Sequence, residues 1–143
     1  MITMSKYDKL TCLLDKLNND EFGTWHIDTE HTGTKEDPIR LPFPVYTDAV
    51  HELIKTVHEF VEEHPEYPLH DYHAIMERYG IDNLQSADID SLNDEAALAL
   101  LTWVIRGERF CDGLILGNLK DGRIQHLLRR LKELDETVHS DIV

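Results

Sequence analysis

The residues of this chain with most capacity for chemistry are Arg106, Glu108, Arg109, Cys111 and Asp112, gathered around Gly107. Two arginines beside two carboxylates at the end of an apolar helix could line a polar pocket for an anionic ligand. The competing reading is structural. Arginines near a helix C-terminus satisfy its orphan carbonyls and complement the macrodipole, with Glu108 and Asp112 neutralising them, and a buried ion-pair network would then fix how two helices meet. The structural reading is favoured. An arginine next to a cysteine favours thiolate chemistry, yet Cys–His catalysis needs a particular histidine within reach, and no local motif selects one of nine. Cys111 is therefore expected as a small buried core residue, and Cys12, far away in sequence, as a second reduced, buried thiol.

His64, His70 and His73 with Asp71 form a second group, and His51 and His58 lie one heptad apart just before it. Imidazole and carboxylate ligands favour i, i+3 or i, i+4 spacing, so His70 and His73 could share an ion. No His-Glu-x-x-His or Cys-x-x-Cys accompanies them, and no metal or cofactor is assigned. Gly-rich phosphate loops, a Gly-x-Ser-x-Gly elbow and a calcium loop are also missing. Nothing nominates an enzyme.

Charge is the broadest signal. The chain carries a formal −14, and between Leu41 and Ile105 thirteen acidic side chains face two basic ones, Lys55 and Arg78. Such a surface repels phosphate backbones and anionic headgroups, so direct nucleic-acid or membrane binding is not expected, and a basic protein surface is the natural partner. Asp48, Asp71, Asp88, Asp90, Asp94 and Glu95 have a local reason to be there, since each precedes or opens a helix where the macrodipole favours an anion. Glu52 can pair with Lys55. Glu59, Glu62, Glu63 and Glu66 instead crowd a helix C-terminus and repel one another. Those four, with Glu77 and Asp82, are the expected partner-binding residues. The alternative site is an anionic-ligand pocket built from Trp25, Arg40, Tyr46, Arg106, Arg109 and Asp112.

These groups need elements to position them. Tyr7, Leu10, Leu13, Leu14 and Leu17 recur at helical spacing and predict a helix over 5–17. Alternation of Trp25, Ile27 and Thr29, then of Ile39, Leu41, Phe43 and Val45, predicts two strands over 22–30 and 39–46, each with one buried face. Pro42 and Pro44 lack N–H groups on the same side, which makes the second strand an edge. Thr47 should cap a helix with a Val50, Leu53, Ile54, Val57, Phe60, Val61 stripe, ended by Pro65. A shorter helix over 70–78 closes at Gly80, residues 81–90 read as loop, and Ser91 with Asp94 resembles a capping arrangement. Residues 92–106 follow as a helix apolar on every face, hence central. Helices over 110–119 and 123–136, joined at Asp121-Gly122, complete the chain.

Residues Ile105-Arg-Gly-Glu-Arg-Phe-Cys-Asp-Gly113 and Asp121-Gly-Arg-Ile-Gln-His-Leu-Leu-Arg-Arg-Leu-Lys-Glu-Leu134 are similar to the C-terminal signature of a small bacterial and phage family known as a domain of unknown function. The leucine-rich start and Leu41-Pro-Phe-Pro-Val-Tyr46 resemble it too. The resemblance implies one domain over roughly residues 5–136 and imports no activity, cofactor or catalytic residue.

The expected architecture is a single mostly helical α+β domain over 1–143, with about six helices around the central one and a two-stranded antiparallel ribbon. At 143 residues such a domain buries enough surface to stand without disulfides. With no leader-like or membrane-length apolar run, a cytoplasmic location is expected; Met1–Thr3 need not be native, since Met4-Ser5 would also serve as a start. The functional expectation is a non-enzymatic acidic interaction protein. In a phage or mobile element it would be an inhibitor whose carboxylates stand in for phosphates on a nucleic-acid-binding protein. A structural subunit or homodimer would require an exposed apolar patch, which the sequence does not display clearly.

Overall fold

A computed structural model describes residues 7–17, 22–27, 29–38 and 41–141, with residues 136–141 as backbone only. The described residues form six helices and one antiparallel ribbon: α1 (Asp8–Thr11), β1 (Gly23–His26), β2 (Phe43–Tyr46), α2 (Asp48–Glu63), α3 (Tyr72–Arg78), α4 (Asp94–Gly107), α5 (Leu114–Lys120) and α6 (Arg123–Asp141). The fold class is the expected mostly helical α+β.

Helix α4 is the axis. Its side chains from Ala96 to Thr102, together with Val104 and Ile105, are buried, and α2, α3, α5 and α6 all pack on it. Each fully buried aliphatic side chain contributes roughly 1.5–3 kcal/mol of transfer free energy, so this one helix is the largest apolar contributor to the core. Thr102 is tolerated there because its hydroxyl donates to Leu98 O at 2.8 Å. The N-cap is Asn93, whose Oδ1 accepts from Ala96 N–H at 2.9 Å. Ser91, the expected cap, belongs to a 3-10 turn and donates to Asp88 O instead. An asparagine two residues nearer the helix reaches the orphan N–H groups better.

Other elements follow the sequence with shifted ends. The first helix is short, α1 running on into a 3-10 turn over Cys12–Asp15, while residues 5 and 6 of the predicted span lie outside the described residues. Tyr7, Leu10, Leu13 and Leu17 are buried as their spacing requires. Gly80 takes φ +70°, and the bonds Gly80 N–H to Glu77 O and Ile81 N–H to Met76 O form the Schellman closure of α3. Helix α5 begins at Leu114 rather than 110, and α6 extends beyond 136.

The ribbon departs most from expectation. Its strands span four residues each. The register sets Gly23 against Tyr46, Thr24 against Val45, Trp25 against Pro44 and His26 against Phe43. Thr47 N–H donates to Phe22 O at 2.9 Å, which fixes the alternation: Thr24–Val45 and His26–Phe43 exchange hydrogen bonds, whereas Gly23, Trp25 and Pro44 turn their backbone groups outward. Pro44 thus sits where its missing N–H costs nothing. The expected buried faces are not buried. Trp25 is 43% exposed, Ile27 65% and Leu41 85%, and Phe43 and Val45 are exposed as well. Only two strands are present among the described residues, so one face has nothing above it and the other touches the helices at a corner.

Candidate functional site

The break between α4 and α5 and the inner face of the ribbon meet. Tyr46 Oη donates to Glu108 Oε1 at 2.8 Å. Glu108 also accepts from Gly113 N–H (2.8 Å) and Ile115 N–H (2.9 Å), while Leu116 N–H reaches Tyr46 Oη at 3.3 Å. The amides of Gly113, Ile115 and Leu116 at the start of α5, which have no partner within their helix, are thus satisfied by one carboxylate and one phenol, while Leu114 N–H bonds Cys111 O. Burial, then the Glu108 carboxylate, holds the Tyr46 phenol well above its usual pKa, so it stays a donor. Gly113 adopts φ +90°, and the Trp25 ring lies where a Cβ at that position would go. Absence of a side chain at 113 therefore seats the ribbon on the break.

This arrangement corrects the expected ion-pair network. Glu108 neutralises no arginine; its carboxylate occupies the helix N-terminus where an anionic ligand would otherwise bind. Of the residues proposed for the alternative pocket, the structure brings Trp25 and Tyr46 to the break. Arg106 turns away toward the 3-10 turn Leu69–Asp71 that precedes α3, donating to His70 Nδ1 at 3.3 Å. Arg109 and Asp112 are exposed, and Arg40 lies outside the described residues. Cys111 and Cys12 are exposed free thiols rather than core residues. Cys111 misses the core because it sits in the turn before α5, not inside a helix starting at 110.

Acidic side chains that lacked a local reason acquire partners from afar. Lys9 on α1 contacts Glu59 (2.9 Å) and Glu63 (2.7 Å), and Lys55 adds a longer contact to Glu59 at 3.8 Å. The Lys9 ammonium holds the Glu59 carboxyl below its ordinary pKa, and Glu63 followed by Glu59 raises that of Lys9. Glu52 pairs with Lys16 at 2.6 Å instead of Lys55. Glu66 meets His64 Nδ1 at 2.8 Å, and Glu62 lies 3.2 Å from His70 Nε2. Because arginine only donates, His70 accepts from Arg106 through Nδ1. Arg78 pairs with Glu95, and His126 meets Asp90 at 2.8 Å. By contrast Glu77, Asp82, Asp48, Asp71 and Asp88 are exposed, and among the described residues their carboxylates have no hydrogen-bond or ion-pair partner. Among the described residues no three His, Cys, Asp or Glu side chains converge as metal ligands, and no helix is long and apolar enough to cross a membrane.

A buried polar cluster was missed by the sequence reading. Tyr7 Oη and Tyr67 Oη lie 2.5 Å apart, and both donate to Asp94 Oδ2, at 2.7 and 2.9 Å. Asp94 also accepts Glu95 N–H at 2.9 Å. Burial foremost, then Tyr67 and Asp94, holds the Tyr7 phenol far above its usual pKa. This cluster ties α1 and the α2–α3 connection to the start of α4. Its signal was present in the sequence: a tyrosine in a stripe of leucines needs a partner for its hydroxyl. Which partner depends on contacts 60 and 87 residues away.

The chain belongs to the family of unknown function DUF6508, whose model matches residues 2–137. No curated protein and no solved structure is matched by the chain.

Proposed function

We propose that this family member is a non-enzymatic interaction protein that docks an acidic surface on a basic patch of another protein. The reading is carried by the charge that remains after internal pairing. Glu59 and Glu63 are held by Lys9, and Glu62 and Glu66 by histidines, whereas Glu77 and Asp82, at the end of α3, with Asp71 and Asp88, are exposed and unpaired. Unpaired carboxylates keep the full field that steers a cationic partner, and a paired one contributes little. The docking set therefore contracts from the six expected residues toward Glu77 and Asp82, with Glu62 and Glu66 at its margin.

In its sharpest form the partner is a nucleic-acid-binding protein and the carboxylates occupy the positions of phosphates, as an inhibitor from a phage or mobile element would do, acting inside the cell. The ligand-pocket alternative lacks support at its centre, since Glu108 fills the anion position and Arg106 faces elsewhere. Capture of partners from the source cell at low and high salt, with the double variant Glu77→Lys/Asp82→Lys as control, tests the proposal. A basic partner lost at high salt and lost by the variant is the expected result. Binding that ignores both changes would sink it.

A further inference from the structure

We infer that a cavity between the end of α5 and the start of α6 binds a small phosphate-type anion that carries its own O–H donor. This goes beyond acidic docking and rests on different residues. The cavity measures about 250 Å³, and Lys120, Gly122, Gln125 and Arg129 line it along with Leu17 and Leu119. Lys120 and Arg129 are exposed, and neither has a hydrogen-bond or ion-pair partner among the described residues. Among those residues no Asp or Glu lines the cavity, so two uncompensated cations share it in a chain of formal charge −14. Lys9 and Lys16, by contrast, are taken up by carboxylates. Gly122 leads into the first turn of α6, which sets the cavity beside the positive end of a 19-residue helix. At α5 the matching position is filled by Glu108; at α6 the neighbouring Asp121 leans to Arg123 instead, with its Oδ2 3.8 Å from Nε.

Gln125 is a second and independent sign of a ligand. Its side chain belongs to a residue only 7% exposed. Nε2 donates to Leu119 O at 3.1 Å and to Leu17 O at 3.4 Å. Turning the amide over would set an acceptor against both carbonyls, so Oε1 is left as a buried acceptor without a partner. Such an orphan costs stability until something donates to it. The two cations call for an anion, and Oε1 calls for a donor. Sulfate and simple carboxylates offer acceptors alone, whereas hydrogen phosphate, or a phosphomonoester with a hydroxyl on its alcohol, offers both. Arginine and lysine together suit the roughly double charge of a phosphate group. The negative field of the rest of the surface disfavours a polyanion such as nucleic acid, which leaves a small one.

The test is titration of the full chain with phosphate, sulfate and glycerol phosphate at constant ionic strength and about pH 8, where phosphate is mostly a dianion like sulfate. Nuclear magnetic resonance of the Gln125 side-chain amide and the Gly122 N–H reads the binding. Saturable binding of phosphate or its glycerol ester is expected, with a dissociation constant on the order of 0.1–1 mM and about tenfold or more tighter than sulfate. Tighter binding of glycerol phosphate assigns the site to an ester, and tighter binding of inorganic phosphate assigns it to the free ion. Lys120→Gln and Arg129→Gln, both at exposed positions, should each weaken phosphate about tenfold or more. Gln125→Met should bring phosphate down to the level of sulfate and leave sulfate unchanged, with circular dichroism to check folding; the two exposed variants decide the matter should Gln125→Met not fold. Equal affinity for sulfate and phosphate, no saturation below about 20 mM, or indifference to both Lys120→Gln and Arg129→Gln would each overturn the inference.

Discussion

Raising the pH above 10 should unfold this protein through two phenols. A phenol ordinarily titrates near 10.0, and both Tyr7 and Tyr46 are raised in the fold, by burial first and then by Tyr67 and Asp94 beside Tyr7 and by Glu108 beside Tyr46. The folded state therefore holds these protons after the unfolded chain releases them. Stability is fully present below pH 10 and falls as pH rises from there toward the raised values. Each such group costs about 1.4 kcal/mol per pH unit in that window, so near pH 11 the pair should remove about 3 kcal/mol. With a urea slope of roughly 1–3 kcal/mol/M, the midpoint should drop by about 1–3 M between pH 9 and pH 11. Urea titrations followed by far-ultraviolet circular dichroism, with phenolate absorbance on the same samples, measure both halves of the prediction. The double variant Tyr7→Phe/Tyr46→Phe starts lower, because Asp94 and Glu108 each lose a donor at about 1–3 kcal/mol, but should lose about 3 kcal/mol less on going to pH 11. If the variant loses as much as the parent, the alkaline transition belongs to other groups and the reasoning is wrong.

Three further outcomes follow from the same geometry. Glu108→Gln keeps the shape of the α5 cap but removes its charge, and should cost about 1–2 kcal/mol in urea unfolding. Gly113→Ala combines a left-handed backbone with a Cβ placed against the Trp25 ring, and should destabilise by about 1–3 kcal/mol with a red shift in tryptophan emission; Gly117→Ala, helical with open space around it, should be neutral or stabilising by up to about 1 kcal/mol. Lys9→Ala frees Glu63 and leaves Glu59 only its longer contact to Lys55, so affinity for an oligolysine probe at low salt should rise. In the same variant the Glu59 carboxyl should titrate at higher pH by nuclear magnetic resonance, since Lys9 does most to lower it, with Lys55 adding less; its ion-pair contribution is present above the ordinary glutamate value and disappears as pH falls through the lowered one.

Local periodicity was enough to find the helices, because each buried stripe is written within a single segment: Val50 to Val61 in α2, the all-apolar run in α4, Ile124 to Leu131 in α6. Gly80 and the two prolines were legible for the same reason, since their effects are properties of one residue's backbone. What failed was everything that depends on a distant segment. Lys16 takes Glu52 from Lys55 across 36 residues, and Lys9 reaches Glu63 across 54. Glu108 reads as an arginine partner until α5 and Tyr46 arrive beside it. Alternation in the ribbon correctly gave strands but wrongly implied burial, because alternation records which side chains share a face and not whether anything covers that face. Cys111 was misplaced by an element boundary, the least certain product of pattern reading.

The unequal edges of the ribbon also bear on solubility. A sheet with two open edges can add strands indefinitely, and a chain presenting Trp25, Ile27 and Phe43 to solvent would then be a template for fibres. Here Pro42 and Pro44 close one side, so any strand that joins the other has consumed the whole capacity for growth unless it brings an open edge of its own. Polymerisation needs two complementary ends on every unit, and this ribbon supplies one. Replacing either proline would convert a terminating surface into a propagating one.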